Sequence, residues 1–193
     1  MTTHRTIRTA AALAGAAVAL PVSIGLLAPA AHATDSGPFG PACASLPKEG
    51  AGSAAGMAKD PVATAASHNP ALSTLVTAVK KAGLVDTLNN AKDITVFAPT
   101  NDAFKKIPKA DLAKVLSNKA MLTKILTYHV VGQPIAPSEL PNGSFKTLEG
   151  SKLTTDGSAK SYEVNDTAKI VCGNVKTANA TVYIIDTVLM PPK

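Results

Sequence analysis

The stretch that most constrains this chain is residues 94–106, which read ITVFAPTNDAFKK. Its first five residues are apolar or β-branched without interruption, a pattern typical of a short strand that is buried on both faces. Pro99 has no N–H to donate to a neighbouring strand, so we expect the strand to end there. Thr100 or Asn101 then suits the N-cap of a helix. A buried strand that turns directly into a helix predicts a scaffold element rather than a catalytic one.

Three segments carry a resemblance to a known family. Residues 97–104, 126–131 and 179–189 read FAPTNDAF, LTYHVV and NATVYIIDTVL. In this order they resemble the paired signature and the C-terminal strand of the fasciclin (FAS1) domain. The resemblance covers about residues 60–191 and implies an α+β fold, a fasciclin-like wedge-shaped β-sandwich flanked by several short α-helices. The resemblance implies that the chain is a binding or adhesion module, and it does not imply any enzymatic reaction shared by the family.

Further segments resemble one branch of that family. They are the extension around Cys43, residues 60–63 (DPVA), residues 171–173 (VCG) and residues 187–192 (TVLMPP). These segments are similar to those of the secreted single-fasciclin-domain antigens of mycobacteria and related actinobacteria. The resemblance implies an extracellular antigen.

Residues 1–33 have the organisation of a secretory signal peptide. Arg5 and Arg8 form a basic start, residues 9–27 are rich in alanine, leucine and valine, and residues 31–33 (AHA) match a cleavage site. An uncleaved membrane anchor is the alternative, but prolines and a glycine interrupt the apolar run. We therefore predict cleavage after residue 33 and a secreted, extracellular protein, with envelope association left open and no transmembrane anchor in the mature form.

The charge of the mature chain comes from lysine alone. Of 19 basic residues, the two arginines lie in the leader and all others are lysine, against 13 acidic residues. Without the planar arginine fork, the mature chain lacks the side chain that binds phosphates in a bidentate manner. Its lysines are scattered, which indicates a solvated surface and argues against nucleic-acid binding. The absence of tryptophan argues against a carbohydrate-binding face of stacked aromatic rings.

Composition and periodicity divide the mature chain into two parts. Residues 34–59 are rich in Gly, Ala and Pro and predict an irregular N-terminal extension, which we expect to bury little. Residues 60–193 form the predicted fasciclin domain. Helical periodicity dominates before Tyr128, and short strands follow it, which favours an α+β class. We expect residues 128–135 to be extended and a long last strand over residues 182–190.

The chain has two cysteines, Cys43 in the extension and Cys172 in a predicted strand. In an exported chain an even pair most simply forms a disulfide. Two cysteines without nearby ligands make a poor metal site. We predict a Cys43–Cys172 bridge that ties the extension to the C-terminal sheet.

Among the candidate catalytic residues, His129 is the most suggestive. With Tyr128 it could form a metal or haem ligand pair, or it could act as a general base. No spaced cluster of His, Asp and Glu surrounds it, and the chain has no G-x-S-x-G motif or paired-carboxylate signature. We therefore predict a core histidine bonded to the backbone, no catalytic residues, no metal, no cofactor and no enzymatic activity.

The resemblance also implies candidate positions for partner binding. In the wider family, the Tyr-His segment and the C-terminal strand have been linked to integrin-type adhesion. The corresponding positions here are Tyr128, His129, Asn179 and Tyr183, although Tyr183 stands where the family often has histidine. A structural role is the competing interpretation for each of the four.

Two functions are predicted from different classes. The first is a secreted non-catalytic binding or adhesion module that contacts a cell-surface component, an envelope component or a host protein. The alternative is an extracellular carrier of a small apolar ligand such as a lipid. An apolar cavity lined by leucine and valine, without charged residues, would favour the carrier, whereas a filled core with an exposed patch would favour adhesion.

Overall fold

The computed structural model describes residues 37–192. The predicted signal peptide, residues 1–33, and the first residues of the extension lie outside the described residues. Within the described part, no helix is long and apolar enough to span a bilayer.

Helices dominate the first two thirds of the described chain. The α-helices are α1 (Ala54–Met57), α2 (Val62–Ser67), α3 (Ser73–Ala82), α4 (Val85–Asn90), α5 (Asn101–Lys105), α6 (Lys109–Ser117) and α7 (Lys119–Tyr128). Short 3₁₀ turns lie at Pro41–Ser45, Pro70–Leu72 and Pro137–Glu139. The strands are β1 (Ile94–Pro99), β2 (Val130–Val131), β3 (Gly143–Lys146), β4 (Lys152–Ser158), β5 (Ser161–Val164), β6 (Ala168–Lys176) and β7 (Ala180–Ile185).

Local signals account for several of these boundaries. Strand β1 ends at Pro99, and Thr100 caps α5 because its hydroxyl oxygen accepts a hydrogen bond from the Ala103 N–H at 3.2 Å. Helix α3 ends at Ala82, and the next residue, Gly83, adopts a left-handed conformation with φ of 74°. The predicted strand-to-helix corner is confirmed.

Two predicted extents are wrong. Helix α7 continues through Tyr128, and only Val130–Val131 of the segment predicted as extended forms a strand. Strand β7 ends at Ile185, before the predicted end at residue 190. Its neighbour Asp186 uses its side chain to accept a hydrogen bond from the Lys169 N–H at 2.8 Å, so tertiary contacts end the ladder where periodicity alone indicates continuation.

The seven strands form one mixed sheet in the order β2-β1-β7-β6-β5-β4-β3. Strands β1 and β7, the second and third in this order, pair in parallel and are called the central strands below, and β3 to β6 form an antiparallel meander. The two ends of this order meet, because Val131 and Thr147 form an antiparallel bridge and the Leu148 N–H donates to the Val130 carbonyl at 2.7 Å. The sheet therefore folds back on itself, in agreement with the predicted α+β wedge-shaped sandwich.

The central strands are buried on both faces. Val96 and Val182 pack with the helices, whereas Phe97 and Tyr183, which alternate with them, pack inside the folded sheet. This arrangement explains why residues 94–98 are apolar or β-branched without interruption.

The N-terminal extension is more deeply built into the fold than its composition indicates. The Cys43–Cys172 disulfide joins it to β6, as predicted. Phe39 is buried against Tyr162, with ring centroids 5.6 Å apart, and Met57 is fully buried among the helices. The expectation that the extension buries little is therefore wrong. Phe39 and Met57 are the two large side chains of the extension that the structure buries.

Candidate functional site: an apolar pocket beside the helices

A pocket of about 200 Å³ lies between helices α2, α3, α4 and α7 and the sheet. We call it the helical pocket. Its inner wall is formed by buried aliphatic side chains from the 3₁₀ turn Pro70–Leu72, from α3 and α4 and from strands β1 and β7: Leu72, Leu75, Val79, Leu88, Val96 and Val182. An apolar cavity of about 150 Å³ is already large enough to bind benzene. The helical pocket therefore has room for a small apolar group.

Helix α2 leaves this space open because it presents small side chains. Ala63 and Ala66 line the helical pocket where leucine or phenylalanine could fill it. The backbone of α2 is held in place from outside the pocket, since the Asn89 side chain accepts a hydrogen bond from the Ala63 N–H at 3.0 Å. The helix is thus supported without a large side chain that occupies the pocket.

The rim of the helical pocket is polar. Lys80 is the charged residue that lines it, and Thr64, Ser67 and Thr87 add hydroxyl groups. Leu148 also lines it and is 48% exposed, so apolar surface continues from the interior to the rim. The arrangement suits a molecule that is apolar over most of its length and polar at one end.

His129 lies in the wall of the helical pocket, with both ring nitrogens already bonded to the backbone. Its Nδ1 lies 2.8 Å from the Ile125 carbonyl oxygen, and its Nε2 accepts a hydrogen bond from the Leu189 N–H at 3.0 Å. This pairing places the proton of the neutral ring on Nδ1. Burial lowers the pKa of His129 to about 4, although the hydrogen bond to Ile125 acts in the opposite direction. His129 is the core histidine that the sequence predicts.

The two tyrosines among the predicted partner-binding residues are also buried. The Tyr128 hydroxyl donates to the Lys152 carbonyl at 3.1 Å and accepts from the Asn165 amide at 2.8 Å. The Tyr183 hydroxyl donates to the Ile135 carbonyl at 2.8 Å, and its ring stacks on Phe97 with centroids 5.6 Å apart.

Asn179 connects the helices to the start of β7. Its side-chain oxygen accepts from the Val62 N–H at 2.8 Å, and its amide lies 2.7 Å from the carbonyl oxygens of Leu88 and Ala91. The same amide is also 3.2 Å from the Asn89 carbonyl oxygen. These bonds hold α2 and the end of α4 against the sheet, and so hold two walls of the helical pocket.

The structure therefore gives all four predicted partner-binding residues internal bonds. Only His129 lines the helical pocket; Tyr128 and Tyr183 pack inside the folded sheet, and Asn179 lies at the base of the helices. Tyr128, His129 and Tyr183 are buried, whereas Asn179 is partly exposed, and the role of all four in partner binding stays a prediction. Within residues 37–192, no group of three or more His, Cys, Asp or Glu side chains could hold a metal ion.

The comparisons with known proteins agree with this architecture. The fasciclin domain profile matches residues 70–191. The chain belongs to the fasciclin family. Fasciclin domains are extracellular modules of the adhesion type and are generally non-catalytic.

Two relatives and one solved structure illustrate the relationship. The immunogenic protein MPB70 of Mycobacterium bovis is 45% identical over 192 residues, which cover 95% of this chain and 97% of the relative. The cell surface glycolipoprotein MPB83 of the same species is 53% identical over 148 residues, which cover 74% of this chain and 66% of the relative. A FAS1 domain pair from the insect cell adhesion molecule Fasciclin I superposes with a TM-score of 0.58 at 18% identity, covering 70% of this chain and 52% of the pair, and supports the fold alone.

The sequence did not reveal the helical pocket of this fasciclin domain. Its lining combines residues from segments far apart in the chain, and the alanines of α2 are ordinary helix-forming residues when considered alone. The one available signal was the alternation of small and branched residues in α2, VATAAS, where a core-facing helix usually carries leucine.

Proposed function

We propose that this fasciclin domain is a secreted, non-catalytic binding module that holds a small apolar ligand in the helical pocket. The helical pocket itself is the observation that carries the proposal. Its interior is aliphatic, it opens at a polar rim, and His129 in its wall has no free ring nitrogen for catalysis. An aliphatic cavity is the feature that the sequence analysis connects with the carrier, and the pocket differs from that expectation in having one lysine, Lys80, in its lining.

Dye binding tests this proposal. The neutral apolar dye N-phenyl-1-naphthylamine should gain fluorescence on binding, with a dissociation constant on the order of 10–100 μM. Ala66→Phe places a large ring in the helical pocket and should weaken binding at least about tenfold without lowering the unfolding temperature.

The matched control is Ala113→Phe, because Ala113 is exposed on α6 and does not line the helical pocket. This variant should bind the dye as the unchanged protein does. Equal dye binding by Ala66→Phe and Ala113→Phe would place the dye elsewhere and contradict the proposal.

A second candidate function is adhesion to a protein on a cell or host surface. The surface formed by α6 and α7 supports it. No residue of α6 is fully buried, Met121 on α7 is 46% exposed, and lysines on both helices surround this methionine in sequence. An exposed apolar side chain suits contact with an apolar group of a partner, and the lysines of the same helices, two of which pair with Asp111 and Glu149, give the surface its polar part.

Cell binding separates the two candidates. If the α6–α7 surface mediates adhesion, Met121→Glu should weaken binding of fluorescently labelled protein to intact cells by roughly fivefold or more, as for a residue at the centre of an interface. Ala66→Phe should leave that binding unchanged. The adhesion candidate fails if Met121→Glu binds cells normally.

A further inference from the structure

The charge at the rim of the helical pocket indicates the kind of ligand. Lys80 lies in the last turn of α3, is exposed and lines the opening. Within residues 37–192, its amine takes part in no hydrogen bond or ion pair, whereas Lys106 and Lys124 pair with carboxylates at 3.0 and 3.5 Å. The Lys80 amine is thus available to a ligand that enters the pocket.

The lining of the helical pocket itself contains no group that offsets this charge: among the described residues that line it, none is aspartate or glutamate. The rim residue Leu148 is followed by Glu149, but that carboxylate accepts a hydrogen bond from the Ser151 N–H at 3.1 Å and lies 3.5 Å from the Lys124 amine. Lys80 is therefore the one charged side chain among the described residues that line the helical pocket, since His129 is neutral. The exposed Asp86 lies between the lining residues Val85 and Thr87 but does not itself line the pocket.

We propose that the helical pocket takes a single-chain amphiphile whose anionic head group, such as a carboxylate, pairs with Lys80. The inference rests on the proposed function, since it names the class of ligand that the same pocket would hold. The aliphatic interior accommodates the chain, and the exposed Leu148 extends the apolar surface for carbons that emerge at the rim. A volume of about 200 Å³ suits one chain rather than two.

Matched probes of equal chain length test the head-group assignment. Octanoate and octan-1-ol differ at the head group, and at pH 7 octanoate is ionised. Calorimetric titration of the unchanged protein should show octanoate binding roughly two- to fivefold more tightly than octan-1-ol, which is the range for an exposed ion pair. Lys80→Gln should remove this preference for octanoate over octan-1-ol.

Lys81→Gln is the control, because Lys81 is the adjacent lysine in the same helical turn but does not line the helical pocket. It should keep the preference for octanoate. Octan-1-ol binding without any preference for octanoate, or a preference that persists in Lys80→Gln, would overturn the anionic assignment alone. Failure of both probes to bind the unchanged protein would overturn the proposed carrier function as well.

Discussion

His129→Ala is expected to lower the free energy of unfolding at pH 7 by at least about 1–3 kcal/mol, the range for leaving a buried polar group unpaired. The substitution removes the acceptor of the Leu189 N–H and the partner of the Ile125 carbonyl. It also enlarges the helical pocket, because the ring forms part of its wall, and a larger cavity adds to the loss. Urea unfolding followed by circular dichroism would measure the change.

The effect of His129 should depend on pH in a defined direction. Burial holds the pKa of His129 near 4 in the folded state, below the ordinary histidine value of 6.5. Between these two values the unfolded chain binds more protons at this site than the folded protein does. The contribution of the neutral His129 ring to the free energy of unfolding is therefore fully present above about pH 6.5. It is lost as the pH falls towards 4, and the total loss is about 3 kcal/mol.

Comparing the unchanged protein with His129→Ala separates the contribution of His129 to stability from that of the other titrating groups. The stability difference between the unchanged protein and His129→Ala should shrink as the pH falls from 7 to 4, since other groups titrate in both proteins. His68→Ala is the control, because His68 is exposed and its 3.4 Å contact with Asp60 lies at the surface. It should change stability by less than about 1 kcal/mol at pH 7. A stability difference for His129→Ala that does not vary with pH would contradict the buried neutral ring.

Loss of the disulfide is expected to destabilise the protein without releasing the N-terminal extension. Cys43→Ser with Cys172→Ser should lower the free energy of unfolding by about 2–4 kcal/mol. The extension should nevertheless stay docked under native conditions, because Phe39 remains packed between Tyr162 and Tyr183 and Met57 remains buried. Limited proteolysis with mass spectrometry should find few early cuts within residues 37–59.

Adding Phe39→Ala to the cysteine variant should release the segment. Truncation of a buried phenylalanine costs about 3–5 kcal/mol, and this ring also covers Gly173 on β6, to whose backbone Phe39 is paired. Phe145→Ala in the same cysteine background is the matched control, since Phe145 is equally buried in the same interior cluster but lies on β3. Early cleavage of the extension in the variant that lacks only the two cysteines would show that the disulfide, and not Phe39, anchors the extension.

Much of the fold could be predicted because its signals are local. Pro99 cannot pair in a sheet and Thr100 can cap a helix, so the corner between β1 and α5 is visible in a few adjacent residues. The disulfide was predictable because the exported chain has only two cysteines. The core position of His129 followed from the lack of any ligand cluster around it in the sequence.

The candidate site could not be predicted in this way. The helical pocket exists because Ala63 and Ala66 of α2 face aliphatic residues of α3 and the central strands across a gap. Whether an alanine leaves a void or touches a neighbour depends on distances between elements, which no local pattern encodes. The same limit explains the extension, where the burial of Phe39 depends on the position of β6.

The sequence by itself thus determined the order and type of most elements, the family, the disulfide and the absence of recognisable catalytic motifs. Tertiary structure alone decided that the sheet closes through Val131 and Thr147, that the extension belongs to the core, and that Lys80 stands at the opening of an apolar space. The physical reason is that capping, proline and periodicity act over a few residues, whereas cavities and rim charges arise from packing between segments distant in the chain.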